Sequence, residues 1–413
     1  MPPRGPELGR VAVGVPPRTV SGGRSPRRER RHVKRVEVAV VGGGVIGLSV
    51  ARELGRRGLT DVLVLEREPA VGQGSSARAN GGVRAQFTTR PNVEFSLRSI
   101  EELERLERET GLLGFHQVGY LLLTGTGEGE RALRAAFELQ RGLGVGVEWL
   151  SPEEVLAKAP FLRPDGLRAG TFHPRDGFLD PHGVVRAYAE ALRGLGIEVW
   201  TGAPVQGIER GTGGYRLSTP RGAVGAAWVV DAAGAWAAEV AAMVGVKVPV
   251  APVRRNLAFV RDEPGPLTPM CVDLDTGVLA RREVSGGWVL AYSDPADPPG
   301  WDTSLDPAFL PALAERVGNR FPHLEGRPID PRQCWAGLYP ETPDHHAVIG
   351  EAPGAPGFVL CAGFGGHGVM HSPAAGIAVA ELICQGACTS FDLHPLRPSR
   401  FEEGDLVVEA AVF

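Results

Sequence analysis

The chain has 413 residues and a formal net charge of −4, with 43% hydrophobic and 22% charged residues. These are the proportions of a globular chain longer than one ordinary domain, and no apolar run reaches membrane-spanning length without a glycine or a charge in it. Five cysteines with no C-x-x-C pair argue against a disulfide framework or a thiolate zinc site, and for a reducing, cytoplasmic setting.

Residues 1–35 carry ten Arg or Lys and two Glu, with Pro and Gly scattered and no apolar period. This +8, taken from the total of −4, leaves −12 for residues 36–413. The segment reads as a disordered tail or, preferably, as a mis-assigned start, with the real chain beginning near Val33. A targeting peptide is the weaker reading, because no amphipathic face supports it. The SPRRER stretch is like a twin-arginine signal, but the apolar run behind it is needed by the fold. No aromatic residue is interleaved with the basic ones, so no nucleic-acid partner is expected.

Val36 to Val41 is apolar and rich in β-branched residues, which predicts a buried strand. Gly42, Gly44 and Gly47 then give G-x-G-x-x-G at a strand-to-helix turn. Gly42 permits the turn, Gly44 the approach of a pyrophosphate, and Gly47 the packing of helix on strand. The helix that follows offers free N–H groups and a positive dipole end to that pyrophosphate. Val62 to Leu65 is the second strand, and Glu66 ends it, 19 residues after Gly47. An acid there suits a ribose and repels a 2′-phosphate. Arg67 and Glu68 follow, and then GQGSSARANGGVR at residues 72–84. Small residues let the backbone of this loop approach a ligand, and hydroxyls and guanidiniums can meet phosphate. A long polar loop at this point suggests a cofactor larger than NAD, running past the first pyrophosphate site.

Further along, helices are predicted over 92–110, 128–143 and 181–195, and strands over 118–123, 198–201 and 228–231. Residues 246–330 change character. Strand-like runs at 253–260, 277–280 and 287–291 alternate with turns before a helix at 307–317. Asp344-His345-His346 invites a metal reading, but adjacent histidines in a strand face opposite ways, so no metal site is expected. Gly363-Phe364-Gly365-Gly366-His367-Gly368-Val369 precedes an apolar helix running to about residue 383.

The fingerprint, the 72–84 loop, DGFLDP at 176–181, VVDAAGAW at 229–236, TPDHHAVIG at 342–350 and GFGGHGV at 363–369 come in one order. In that order they resemble the FAD-dependent family of D-amino-acid oxidase, glycine oxidase, sarcosine oxidase (its beta subunit included) and dimethylglycine dehydrogenase. The resemblance covers nearly all of residues 36–388. It implies an α/β fold with a Rossmann-like FAD-binding domain, discontinuous over 36–90, 165–245 and 331–390. A second, antiparallel-sheet substrate domain would take 91–164 and 246–330, leaving 391–413 as a C-terminal tail. FAD would be held by Gly42, Gly44, Gly47, Glu66, Arg67, Gly74, Ser75, Ser76, Gly82, Val205, Gly234, Gly337, Gly366, His367, Gly368 and Val369. Arg84, His367, Tyr292 and Met370 would face the substrate, with Arg84 where sarcosine oxidase places a carboxylate-binding arginine. Met370 stands where that relative has a second cation, a lysine.

Departures from the family matter too. Monomeric sarcosine oxidase bonds FAD to a cysteine at the position of Gly337, and dimethylglycine dehydrogenase to a histidine at that of Arg78. Neither nucleophile is present here, so noncovalent FAD is expected. The implied reaction is oxidation of the CH–N bond of a small amino acid or N-methyl amino acid by hydride transfer to flavin. The electron acceptor is a quinone, an electron-transfer protein or oxygen. The alternative is a flavoprotein subunit or assembly factor, with a hetero-oligomeric partner and no amine substrate of its own. Val289 occupies the place of the roof lysine that promotes reaction with oxygen in sarcosine oxidase, and no lysine follows Lys247. A dehydrogenase is therefore favoured over an oxidase, with a cationic His367 or His371 as the main route back to oxidase behaviour.

Overall fold

A computed structural model describes residues 33–294 and 296–412. The readings made on residues 1–32, the mis-assigned start among them, lie outside the described residues. The first strand is Lys34–Val41, so Lys34 and Arg35 belong to the fold and not to the preceding tail. Lys34 pairs in register with Val224 and its ammonium meets Glu198.

That strand runs parallel to Val62–Leu65 on one side and to Gly222–Asp231 on the other. Outward from Val62–Leu65 lies Glu198–Trp200, and outward from Gly222–Asp231 lie Phe358–Ala362 and then Val348–Glu351. From Val38 to Val41 the central strand is apolar without alternation because both of its faces are covered there. Val38 and Val40 pack on one side with the helices Val45–Arg56 and Gly368–Gln385, while Val36, Ala39 and Val41 pack on the other. The last helix is apolar almost all round because it is buried over most of its length. It crosses the fingerprint helix closely: a Cβ on Gly376 would lie 2.4 Å from the Ser49 hydroxyl.

The second sheet has eight strands, in the order Trp335–Glu341, Ala251–Val260, Trp288–Ala291, Val278–Arg282, Met270–Asp273, Tyr120–Thr124, Ala169–His173 and Glu148–Leu150. Every pairing is antiparallel except Met270–Asp273 with Tyr120–Thr124, which is parallel. Ala169–His173 and Trp335–Glu341 were placed with the FAD-binding segments by sequence, yet both hydrogen-bond in this second sheet. Their apolar runs look alike in either sheet, and only partner choice separates them.

Residues 391–412 are not a loose tail either. Arg400 is fully buried in a two-pronged ion pair with Asp344, its Nε 2.8 Å and its Nη2 3.0 Å from the two carboxylate oxygens. Beyond a helical turn at Arg400–Glu403 the chain runs without regular structure to Glu409, which is also fully buried. Leu406, Val407 and Val408, just before it, are exposed.

Candidate active site

A cavity of about 830 Å³ opens beside the C-terminal ends of the parallel strands and extends under the second sheet. Its phosphate end is shaped by glycines. Gly42 has φ 111°, and a Cβ there would lie 2.3 Å from the Ala232 carbonyl oxygen. A Cβ on Gly47 would lie 1.9 Å from the Gly42 carbonyl oxygen, so Gly47 serves helix packing and does not line the cavity. Gly44 does line it, and its added Cβ would meet only the Ser76 hydroxyl, at 3.2 Å. The space over Gly44 is thus open to a ligand, as the fingerprint requires. Ser76 reaches the same place, its Oγ accepting from Val45 N at 3.2 Å in the first turn of the helix.

Glu66 ends the second strand and is buried. Its two carboxylate oxygens accept from Gly43 N at 2.7 Å and from Glu68 N at 2.8 Å. Burial raises its carboxyl above the usual range, against the pull of those two hydrogen bonds. Arg67, Val205 and Gly234 also line this part, and the Arg67 guanidinium lies 4.4 Å from the centre of the Trp236 ring.

The 72–84 loop carries a short helical turn at Ser75–Arg78 and is stitched to the strand Trp335–Glu341. Ser75 Oγ donates to Leu338 O at 2.6 Å, Arg78 Nη1 donates to Ala336 O at 2.8 Å, and Trp335 Nε1 donates to Arg78 O at 3.0 Å. A Cβ on Gly337 would lie 3.0 Å from the Arg78 Cβ. Gly337 and Arg78, the two positions at which the resemblance placed a missing flavin nucleophile, therefore face each other here. Gly74, Gly82 and Gly337 line the cavity as well.

At the other end the cavity reaches Gly366, His367, Gly368, Val369 and Met370 at the start of the last helix. Gly366 is required by its neighbour, since a Cβ there would lie 2.6 Å from Tyr339 Cε2. His367 is buried, with its ring edge-on to Phe87 at 4.8 Å. Burial, and then the charge of Arg84, push its pKa well below the ordinary value. His371 is buried against Ser96 Oγ at 2.8 Å and is pushed down to about 3 by the same causes. Both shifts favour uncharged rings near neutrality.

Arg84 lines this end, buried, with its guanidinium 3.9 Å from the Phe87 ring centre. Its Nη1 donates to Gln86 O, and its Nη2 donates to Ala411 O at 2.6 Å. Three polar side chains lining this end were not foreseen. Arg255 lies on the roof strand Ala251–Val260, buried, with Nη1 2.9 Å from Asp297 and a buried Nε that has no hydrogen-bond partner among the described residues. Tyr120 is buried and Tyr339 partly buried beside the arginines, and desolvation raises both phenols, so both remain protonated donors. For Arg255 the signal in the sequence was period-two alternation. Arg255 and Leu257 share the cavity face of one strand, while the adjacent Arg254 turns outward to Asp302 and Asp306.

Tyr292 is a correction. It lies outside the cavity lining, its ring stacked on Phe309 at 5.2 Å and 4.6 Å from the Arg316 guanidinium. The residue follows the end of its strand and packs on the far side of the sheet. The two adjacent histidines also sit otherwise than expected, in a turn where His345 has φ 57°. They still diverge: His345 Nδ1 meets Glu341 at 3.0 Å, and His346 Nε2 meets Thr89 at 2.9 Å. Among the described residues no cluster of three or more His, Cys, Asp or Glu could hold a metal, and no helix is long and apolar enough to cross a membrane.

The family described as FAD dependent oxidoreductase, DAO, matches residues 37–382. This chain belongs to that family. It is similar to the glycine oxidase of Geobacillus kaustophilus, 31% identical over 89% of this chain and 97% of the relative. It is 30% identical to the FAD-dependent oxidoreductase domain-containing protein 1 of Xenopus laevis, over 91% of this chain and 84% of the relative. The solved L-proline dehydrogenase of P. horikoshii superposes with a TM-score of 0.86 at 30% identity, covering 91% of this chain and all of the other. The DAO cofactor is FAD, and the cavity fits it. The open space over Gly44, the buried acid Glu66 and the glycine-lined wall at Gly74, Gly234, Gly337 and Gly366 are what a dinucleotide with two phosphates and a flat ring needs.

Proposed function

We propose that the chain oxidises the CH–N bond of an amino acid or N-methyl amino acid, giving an imine that water hydrolyses. The observation that carries this reading is the pairing of Arg84 and Arg255 with Tyr120 and Tyr339 around Leu257, Leu279 and Met370 at one end of the cavity. Two cations and two phenol donors suit a carboxylate, and the apolar walls suit a small side chain. The second cation that seemed lost at Met370 is offered by Arg255 from another strand.

FAD, when bound along Gly42 to Val45, Glu66, Ser75, Ser76 and Gly366 to Val369, supplies the hydride acceptor. The chain's residues do the rest. Arg84 and Arg255 fix the carboxylate, and Tyr120 and Tyr339 orient it while excluding water. His367, kept neutral by burial, stands beside the site as an uncharged ring and is a poor acceptor for the amine proton. The first N–H groups of the helix Gly368–Gln385 place positive dipole beside the site. With Val289 in place of a lysine and both nearby histidines neutral, rapid one-electron transfer to oxygen has little support. A dehydrogenase handing electrons to a quinone or an electron-transfer protein is the favoured form. Glycine, sarcosine, L-proline and a panel of D-amino acids should be mixed anaerobically with the purified protein while flavin absorbance is followed. Bleaching by at least one of them is expected. A yellow protein that none of them bleaches would instead favour a subunit whose FAD relays electrons to a partner.

A further inference from the structure

The loop between the strand Trp288–Ala291 and the helix Phe309–Val317 belongs to the second sheet, yet it crosses to the cofactor cavity. Trp301 near its middle stacks on Trp236 at 5.2 Å between ring centres and 26° between planes. Trp236 closes the VVDAAGAW motif and carries the Arg67 guanidinium against its ring. All three side chains line the cavity, at the end where Glu66 and Val205 also lie. Trp301 remains 46% exposed, so burial alone does not account for a tryptophan at this spot.

The loop is pinned on both sides of Trp301. Pro299 bridges Val253, and Gly300 N donates to Pro252 O at 2.8 Å. Asp302 accepts from Arg254 Nη1 at 2.9 Å, and Asp306 accepts from Arg254 Nη2 at 2.6 Å. The strand that presents Arg255 and Leu257 inward therefore holds the loop with Arg254 on its outer face.

We infer that Trp301, stacked on Trp236, whose ring also carries Arg67, is a cofactor-retaining residue that closes the adenosine end of the cavity over noncovalent FAD. The inference rests on FAD occupying this cavity. An aromatic stack at the mouth does not enter the chemistry; it opposes escape of the ligand, so its signature is the release rate. An aromatic pair of this geometry corresponds to roughly a 3- to 10-fold effect on that rate.

The test uses holoenzyme. The full chain and its variants are diluted, and free FAD is followed by its fluorescence as it leaves. Trp301→Ala should release FAD roughly 3- to 10-fold faster. Trp301→Phe should restore most of the retention, because the stack survives. Arg254→Ala, which unpins the loop but leaves both rings, should move in the same direction as Trp301→Ala. A variant that arrives without flavin is reconstituted with FAD and its dissociation constant measured, with the same ordering expected. Release rates within twofold of the parent for Trp301→Ala, or Trp301→Phe releasing as fast as Trp301→Ala, would overturn the inference. A parent protein that carries no FAD would instead sink the cofactor assignment, which the flavin content of the unmodified chain reports separately.

Discussion

Replacing Glu409 by alanine removes a fully buried carboxylate that ties the C-terminal segment to the start of the helix Arg90–Thr110. It accepts from Thr88 N at 2.9 Å, Thr88 Oγ1 at 2.5 Å, Thr89 Oγ1 at 2.7 Å, Asn92 Nδ2 at 3.1 Å and Ala411 N at 2.9 Å. Thr88 N, Asn92 Nδ2 and Ala411 N lose this acceptor unless water enters, while Thr89 Oγ1 keeps His346 Nε2 as a partner. For a buried charged acceptor with that many partners the loss is about 3–5 kcal/mol. At about 2.1 cal/mol/K per residue, a fold of roughly 380 residues has an unfolding entropy near 0.8 kcal/mol/K, so the midpoint should fall by roughly 4–6 °C. If the segment peels away before the rest unfolds, the midpoint falls less and proteolysis after residue 404 quickens instead. Burial opposes ionisation of Glu409, but hydrogen bonds from Thr88 and Thr89 prevail and hold its carboxyl below the usual range. Its contribution is thus present above the unfolded carboxyl pKa of about 4.3 and is lost as pH falls through the lower folded value. Thermal melts from pH 3 to 7 on Glu409→Ala and Glu409→Gln, with thermolysin digestion at pH 7, which can cut at Leu406, Val407 and Val408, check this. Because Ala411 O receives Arg84, the apparent KM for an amino acid should also rise more than kcat falls. A midpoint within 1 °C of the parent, unchanged proteolysis and an unchanged KM together would refute the reasoning.

Acid precipitation should leave a colourless pellet and a yellow supernatant containing FAD, and a yellow pellet would show a covalent link. Arg84→Ala should raise the apparent KM for the substrate, with roughly 2–5 kcal/mol lost if a desolvated pair is broken; unchanged kinetics at full flavin content would remove Arg84 from the substrate site. Anaerobically reduced protein mixed with air-saturated buffer should reoxidise slowly, with fast turnover only when a dye or quinone is supplied; stoichiometric peroxide at the turnover rate would make it an oxidase. His371, whose folded pKa is pushed down to about 3, keeps its stabilising contribution above the unfolded value of about 6.5 and loses it as pH falls toward 3. Urea midpoints measured across that window should decline with falling pH, and less steeply in a His371→Asn variant.

The cofactor half was legible because its chemistry is local in sequence. Gly42, Gly44 and Glu66 take their roles from one strand–helix–strand unit, and the contacts of each are set by residues nearby in the fold. The substrate half depends on pairings between distant strands. Nothing in the sequence around Arg255 announces that Gly337 will stand opposite it, or that Asp297 will fix its guanidinium. Tyr292 misled for the same reason: its place in a motif is visible, but the side of the sheet on which its ring packs is not. The C-terminal segment, left as a tail by the sequence, is anchored by a single buried acid, Glu409, whose partners at Thr88, Thr89 and Asn92 lie about 320 residues away in the chain.

The close approach of Gly337 to Arg78 carries a consequence for how much of this protein is folded at any moment. With no nucleophile at either position, cofactor and chain meet by mass action, and binding adds RT ln(1 + [FAD]/Kd) to the stability of the fold. At a hundredfold excess of FAD over Kd that is about 2.7 kcal/mol, comparable with removing a well-packed core side chain. A shortage of FAD would then lower the stability of the whole fold by that amount, so cofactor supply sets the fraction of chain exposed to unfolding.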